Sequence, residues 1–183
     1  MLKIGVMPSS FRIPFKDAAL RARDMGAKGL QPYVTEGELA PENLTADDRR
    51  DLLRFVRDCG LTFSALCADF GMDFSDYGNN AADIKRTMSM MDLARDLDTH
   101  VITTHIGHVP DDPESTEYKN ICRSIEELGK YGDSIGVCFA TETGPESAVK
   151  LRGILERVDT KSAKVNLDPA NFVMLCGQDP VEA

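Results

Sequence analysis

The 183-residue chain has 21 Lys and Arg against 30 Asp and Glu, a formal net charge of -9, and no basic cluster longer than a pair. That balance argues against a nucleic-acid backbone as partner, although a small anion needs only one or two local donors. A hydrophobic content of 42% with 28% charged residues is ordinary for a globular domain with a sizeable core. No apolar run approaches a membrane span, and no charged and apolar leader precedes the first strand-like run. A soluble, cytoplasmic protein without membrane contact is therefore expected. The five cysteines (59, 67, 122, 138, 176) show no CxxC spacing and fall mostly within apolar patterns. They are read as reduced core residues.

In chain order, strand-like runs begin near residues 3, 29, 62, 100, 137 and 164. The first is Lys3-Ile4-Gly5-Val6. A helix follows from Pro14 to Gly26, with Phe15, Ala18, Ala19, Ala22 and Met25 at helical spacing. The second strand is Gly29 to Val34. Thr45 then caps a helix carrying Leu52, Leu53, Val56 and Cys59, stopped by Gly60. The third strand is Leu61 to Ala68, ending at Asp69, and a Gly- and Asp-rich loop leads to a helix with Ile84, Met88, Met91 and Leu97. Its methionines are read as core filler. The fourth strand, His100 to Thr104, ends at His105-Ile106-Gly107-His108, and a helix with Tyr118, Ile121, Cys122, Ile125 and Leu128 follows.

The stretch from 137 to 171 is strand, helix, strand. Val137-Cys138-Phe139-Ala140-Thr141 runs into Glu142, and Ala163-Lys164-Val165-Asn166-Leu167 runs into Asp168. A βαβ unit makes these strands parallel, so both acids emerge at the carboxyl edge of the sheet, where α/β proteins place their chemistry. Two neighbouring buried carboxylates are costly unless a cation or proton lies between them, and a divalent metal is the economical explanation. Six βα repeats of about thirty residues predict an α/β fold with a parallel sheet, either an open doubly wound sheet or a (β/α) barrel. Asp179-Pro180 predicts the start of another helix, after which the sequence stops within one turn. An eight-unit barrel needs about 250 residues. The expectation is one TIM-type barrel domain over 1–183 that lacks its C-terminal units, with its first and sixth strands left as open edges.

Six stretches spread over all six repeats resemble the sugar phosphate isomerase/epimerase family of xylose-isomerase-like barrels. They are Gly29-Leu30-Gln31-Pro32-Tyr33, Ala40-Pro41-Glu42-Asn43-Leu44-Thr45, Ser64-Ala65-Leu66-Cys67, Thr104-His105-Ile106-Gly107, Glu142-Thr143-Gly144-Pro145-Glu146 and Asn166-Leu167-Asp168-Pro169-Ala170-Asn171. Each is weak by itself; the Glu and Asp ending the fifth and sixth strands are the more specific signal. The resemblance implies one divalent ion (Mn, Mg, Co or Zn) held by Glu142, Asp168, and a His and a Glu from later strands that lie beyond Ala183. It implies proton transfer next to a carbonyl through an enediolate, on a small sugar or sugar phosphate, with Glu142 in the acid/base pair.

His105, at the end of the fourth strand, is a candidate catalytic group that polarises a carbonyl, touches a phosphate or supports another group. Glu146, His108, Asn171, Tyr33 and Asp69 are candidate substrate contacts, while His100 starts a strand at the opposite edge and is structural. Two alternatives stand beside the isomerase. One is a non-catalytic binding or assembly relative that works as a homo-oligomer or a ligand sensor. The other is an endonuclease IV-like repair enzyme, disfavoured by the net charge, by only three histidines, and by Asn171 where that enzyme has a His ligand.

Overall fold

The computed structural model describes residues 2–183. Seven short parallel strands alternate with six α-helices: β1 (Gly5–Val6), α1 (Phe15–Asp24), β2 (Gly29–Leu30), α2 (Ala46–Asp58), β3 (Thr62–Phe63), β4 (Leu66–Cys67), α3 (Ala81–Asp96), β5 (Val101–Thr104), α4 (Thr116–Ile135), β6 (Cys138–Glu142), α5 (Ala148–Leu155), β7 (Ala163–Asn166) and α6 (Pro169–Leu175). Strands pair in the orders β1-β2-β3 and β4-β5-β6-β7. Sequential order is the barrel arrangement. A doubly wound sheet would place β1 in the middle.

The third predicted strand is divided. β3 pairs with β2 and β4 pairs with β5, and Ser64 turns both its N–H (2.9 Å) and its hydroxyl (3.1 Å) onto the Leu30 carbonyl. The second strand is shortened for a related reason. Pro32 has no N–H for the ladder, yet its carbonyl accepts from the Cys67 N–H at 2.8 Å, and Tyr33 bridges to Cys67. These contacts carry the strand pairing from β2 across to β4, so the two sheets form one curved surface.

Helix boundaries follow local chemistry. Thr45 and Asp48 form a reciprocal capping box on α2, and Ser115 caps α4 by accepting from the Tyr118 N–H. Gly136 ends α4 in the left-handed region at φ +74°, a conformation costly for a side chain bearing Cβ. The Asp-Pro signal near the C-terminus acts elsewhere than expected. Asp168 caps α6, with Pro169 in its first turn, whereas Asp179 makes only a local turn, its carboxylate accepting from the Val181 N–H at 2.8 Å. A single turn does not propagate without a packed face.

The core lies between strands and helices. Leu30, Leu66, Ile102 and Phe139 from the strands are fully enclosed, together with Val56, Met90, Met91, Leu93, Ile121, Ile125 and Ile154 from the helices. Met91 is core filler as expected, while Met88 packs at its margin. All five cysteines are free thiols.

Candidate active site

The carboxyl ends of the strands gather the candidate residues because parallel strands all end at one edge. β6 and β7 pair with Glu142 opposite Asn166. Side chains alternate along a strand, so Asn166 and Asp168 face the same side, and both join Glu142 in the wall of a cleft of about 270 Å³. β4 and β5 bring Asp69 and His105 to the same cleft, and Tyr33 enters from the chain after β2. Five of the predicted residues therefore share one cavity: Glu142, Asp168, His105, Asp69 and Tyr33.

Their contacts divide the work. His105 Nδ1 lies 2.7 Å from Asp69 Oδ2, and Asp69 Oδ1 accepts from the Gly71 N–H at 3.1 Å. A carboxylate can only accept, so the imidazole donates from Nδ1 and presents the lone pair of Nε2. Asp168 Oδ1 accepts from the N–H groups of Ala170 (2.8 Å) and Asn171 (3.3 Å). Its own N–H donates to Thr143 Oγ1 at 2.8 Å. The α6 cap thus uses Asp168 Oδ1, and Oδ2 carries no hydrogen bond among the described residues in the cleft wall.

Glu142 is half-buried, with the Asn166 side chain as its hydrogen-bond partner. Burial pushes its carboxyl above the ordinary value; the charges of Asp168 and Asp69 add to the rise, and His105 and the Asn166 hydrogen bond oppose it. Cys67 and burial push the Tyr33 phenol up, keeping it a neutral donor, and burial does the same to the Cys67 thiol. Three carboxylates around one small cleft form a hard-oxygen donor set that a divalent cation would relieve. No group of three His, Cys, Asp or Glu converges to ligand distance among the described residues. The residues present fit part of a divalent ion's shell, with Glu142 and Asp168 as its donors.

Three predicted substrate contacts lie away from this wall. Glu146 is buried behind it (6% exposed), accepting from the Gly144 N–H at 3.2 Å. Asn171 donates to the Thr143 carbonyl at 2.7 Å and so braces the ends of β6 and β7. His108 is exposed, near Asp111. His100 bonds the Gly136 carbonyl at 3.0 Å at the far edge, a structural role. The cleft adds Gln31, whose amide donates to Thr103 Oγ1 at 2.8 Å, along with Cys67 and Asn166. Period-two spacing from Tyr33, Asp69 and Asp168 would have found all three.

A family model described as a xylose isomerase-like TIM barrel matches residues 19–183. No curated protein matches the chain. Similar solved structures include a xylose isomerase domain protein from Planctomyces limnophilus, at 20% identity and TM-score 0.83, covering 98% of this chain and 68% of that one. The probable 3-DHS dehydratase AsbF of Bacillus anthracis, involved in petrobactin synthesis, is similar at 20% identity and TM-score 0.77, covering 99% and 68%. D-psicose 3-epimerase from Clostridium cellulolyticum H10, solved with D-tagatose, is similar at 15% identity and TM-score 0.76, covering 93% and 65%. At such identities these likenesses speak for the fold alone. The strand order and the family match together place the chain: it belongs to the xylose isomerase-like TIM barrels.

Proposed function

We propose that the protein is a metal-dependent isomerase or epimerase that moves a proton next to the carbonyl of a small sugar or sugar phosphate. The observation that carries this reading is the half-buried Glu142 carboxyl, raised by desolvation, beside Asp168 at the carboxyl edge of adjacent parallel strands. Glu142 and Asp168 would hold a divalent ion, with a His and a Glu from outside residues 1–183 completing its shell as the family resemblance implies. When bound, the ion supplies Lewis-acid stabilisation of negative charge on the substrate oxygens.

The chain's own groups do the rest. The Glu142 carboxylate takes the proton from the carbon beside the carbonyl and returns one to a carbon centre; its raised pKa makes it a stronger base than a solvated carboxylate. His105 Nε2, held by Asp69, accepts the proton of the neighbouring hydroxyl and delivers it to the former carbonyl oxygen. The resulting imidazolium is stabilised by the Asp69 carboxylate. Tyr33, Gln31 and Asn166 orient the sugar hydroxyls from the surrounding wall.

The test is solvent deuterium incorporation, read by proton NMR. Aldoses, ketoses and their phosphates are incubated in D2O with the protein and each of Mn, Mg, Co and Zn. Exchange at the carbon next to the carbonyl is expected for at least one sugar, and Glu142→Gln lowers it by about 10²- to 10⁴-fold. No exchange with any sugar and metal would sink the proposal.

A further inference from the structure

We infer that the cavity adjoining the carboxylate cleft is an oxyanion site, and that Arg86 is its cationic anchor, receiving a phosphate or carboxylate terminus of the ligand. This cavity measures about 630 Å³ and shares Tyr33 and Asp69 with the cleft, so one ligand can occupy both. Arg86 enters its wall from α3. The guanidinium lies over the Phe70 ring, 4.4 Å from the centroid, and one of its Nη groups donates to the Thr35 carbonyl.

A guanidinium carries five N–H donors in a rigid fork, and stacking on an aromatic face fixes the plane of that fork before a ligand arrives. The Thr35 carbonyl uses one edge. No carboxylate among the described residues lies within ion-pair distance of Arg86, in a chain with 30 acidic residues. In another cavity, by contrast, Arg152 of α5 is neutralised by Glu156 at 2.7 Å. Arg86 is half-buried, so its remaining donors have lost part of their water and gained no partner. An unpaired, oriented guanidinium in a cavity wall suits a planar or tetrahedral oxyanion, which it binds through two parallel hydrogen bonds.

Two acids share the cavity. Asp69 has both oxygens engaged, by the Gly71 N–H and by His105. Glu36 stands at the exposed rim. Their charge opposes an anion anywhere but at Arg86, which fixes the direction in which a ligand lies: oxyanion at Arg86, carbonyl end toward Glu142. Calling the ligand a substrate rests on the isomerase reading; the anion site does not.

The experiment titrates the metal-free, full 183-residue protein with inorganic phosphate and, separately, with acetate, by calorimetry and by the NMR signal of the Arg86 Nε–H. Saturable binding that moves this signal is expected. Arg86→Met should lower affinity about ten- to hundredfold, the worth of one charge-assisted hydrogen bond. Arg86→Lys, which keeps the charge without the fork, should retain part of it. Arg123→Met removes a guanidinium stacked 3.9 Å from the Tyr77 centroid, outside the cavity, and should change nothing. Tighter binding of phosphate assigns a phosphorylated ligand, and tighter binding of acetate a carboxylate. If wild type binds neither anion, or Arg86→Met loses thermal stability yet binds as well as wild type, Arg86 is only a strut and the inference fails. Should Arg86→Met fail to fold, the wild-type signal and Arg86→Lys decide alone. Anion binding without sugar exchange overturns the isomerase reading and leaves this site; sugar exchange without anion binding does the reverse.

Discussion

Asp69 and His105 lie 36 residues apart in the chain and 2.7 Å apart in the structure, and that contact gives them different jobs. Each Asp69 oxygen carries one bond, to Gly71 N–H and to His105, and we propose that Asp69 acts through His105 as a positioning residue. Asp69→Asn offers an amide that can donate as well as accept, which removes the reason for the proton to stay on Nδ1. The expected outcome is a shift of His105 toward the Nε2–H tautomer, visible in long-range proton–nitrogen NMR, together with a loss of up to about 10⁴-fold in deuterium exchange, the scale seen when the orienting Asp of a catalytic triad is changed to Asn. An unchanged tautomer with an unchanged rate would reduce the pair to a loop contact. Glu142, Asp168 and His105 were legible in the sequence because each ends an apolar strand run, a position that depends on local pattern alone. Gln31, Cys67 and Asn166 needed the inward face of each strand to be known, and Arg86 needed the tertiary contact with Phe70 and Thr35. Glu146, His108 and Asn171 sit one step past the strand ends, where loop geometry decides direction and spacing does not.

Between residue and barrel, α4 shows how a helix sets the height of the site-bearing strand β7. Its Gly132 leaves room for the Val137 backbone and for the loop before β7: a Cβ there would run into the Val137 carbonyl oxygen and stand 2.9 Å from Ser162 Cβ and 3.0 Å from Met91 Cε. Gly132→Ala is expected to cost about 1–3 kcal/mol by overpacking, measured by denaturant melts; a neutral result would mean that both the Val137 backbone and the Ser162 loop give way freely. The next residue, Asp133, ties the same loop to α4, accepting from Thr160 Oγ1 (2.9 Å), Ser162 Oγ (2.8 Å) and the Lys161 N–H (3.2 Å). The Ser162 hydroxyl leads the bonds that hold its carboxyl below the ordinary 3.8, outweighing desolvation. A lowered folded value means the unfolded chain binds more protons in the window below 3.8, so this contribution is full above 3.8 and lost as pH falls through the folded value. Asp133→Asn should therefore lower Tm at neutral pH by roughly a few degrees, and the gap to wild type should close under acid; a gap constant with pH would remove the charge from the account. Helices whose start and stop residues stand in the sequence, such as α1 between Pro14 and Gly26 and α2 between Thr45 and Gly60, were legible to within a few residues. The division of the third strand was not, because Ser64 and Pro32 act through cross-strand bonds that no single stretch encodes.

At the scale of the whole molecule, alternation of strand and helix left two architectures open, and only the pairing of β1 through β7 in order selects the barrel. Local pattern states what each segment is; strand order depends on contacts between distant segments. That order leaves two edges. Among the described residues β1 pairs with β2 alone and β7 with β6 alone. Beside β7 an apolar groove of about 530 Å³ runs between α5 and α6, lined by Val149, Leu151, Leu155, Val165, Leu167 and Phe172. It is roomier than the carboxylate cleft, and its wall is mainly apolar, with Thr143, Arg152, Glu156, Gln178 and Glu182 also lining it. Val149 is 75% exposed and Leu167 59%, a cluster well beyond scattered surface residues. An unpaired parallel edge next to an apolar groove is a template for another strand. The 183-residue protein is therefore expected to self-associate through β7 at high micromolar concentration, seen as a mass that rises with concentration in light scattering. Val165→Lys places a charge on that exposed edge, 46% accessible and outside the cleft, and should return the mass toward 20.1 kDa. A wild-type protein monomeric at every concentration, or a Val165→Lys variant that associates equally well, would show that the edge of β7 is already protected in solution.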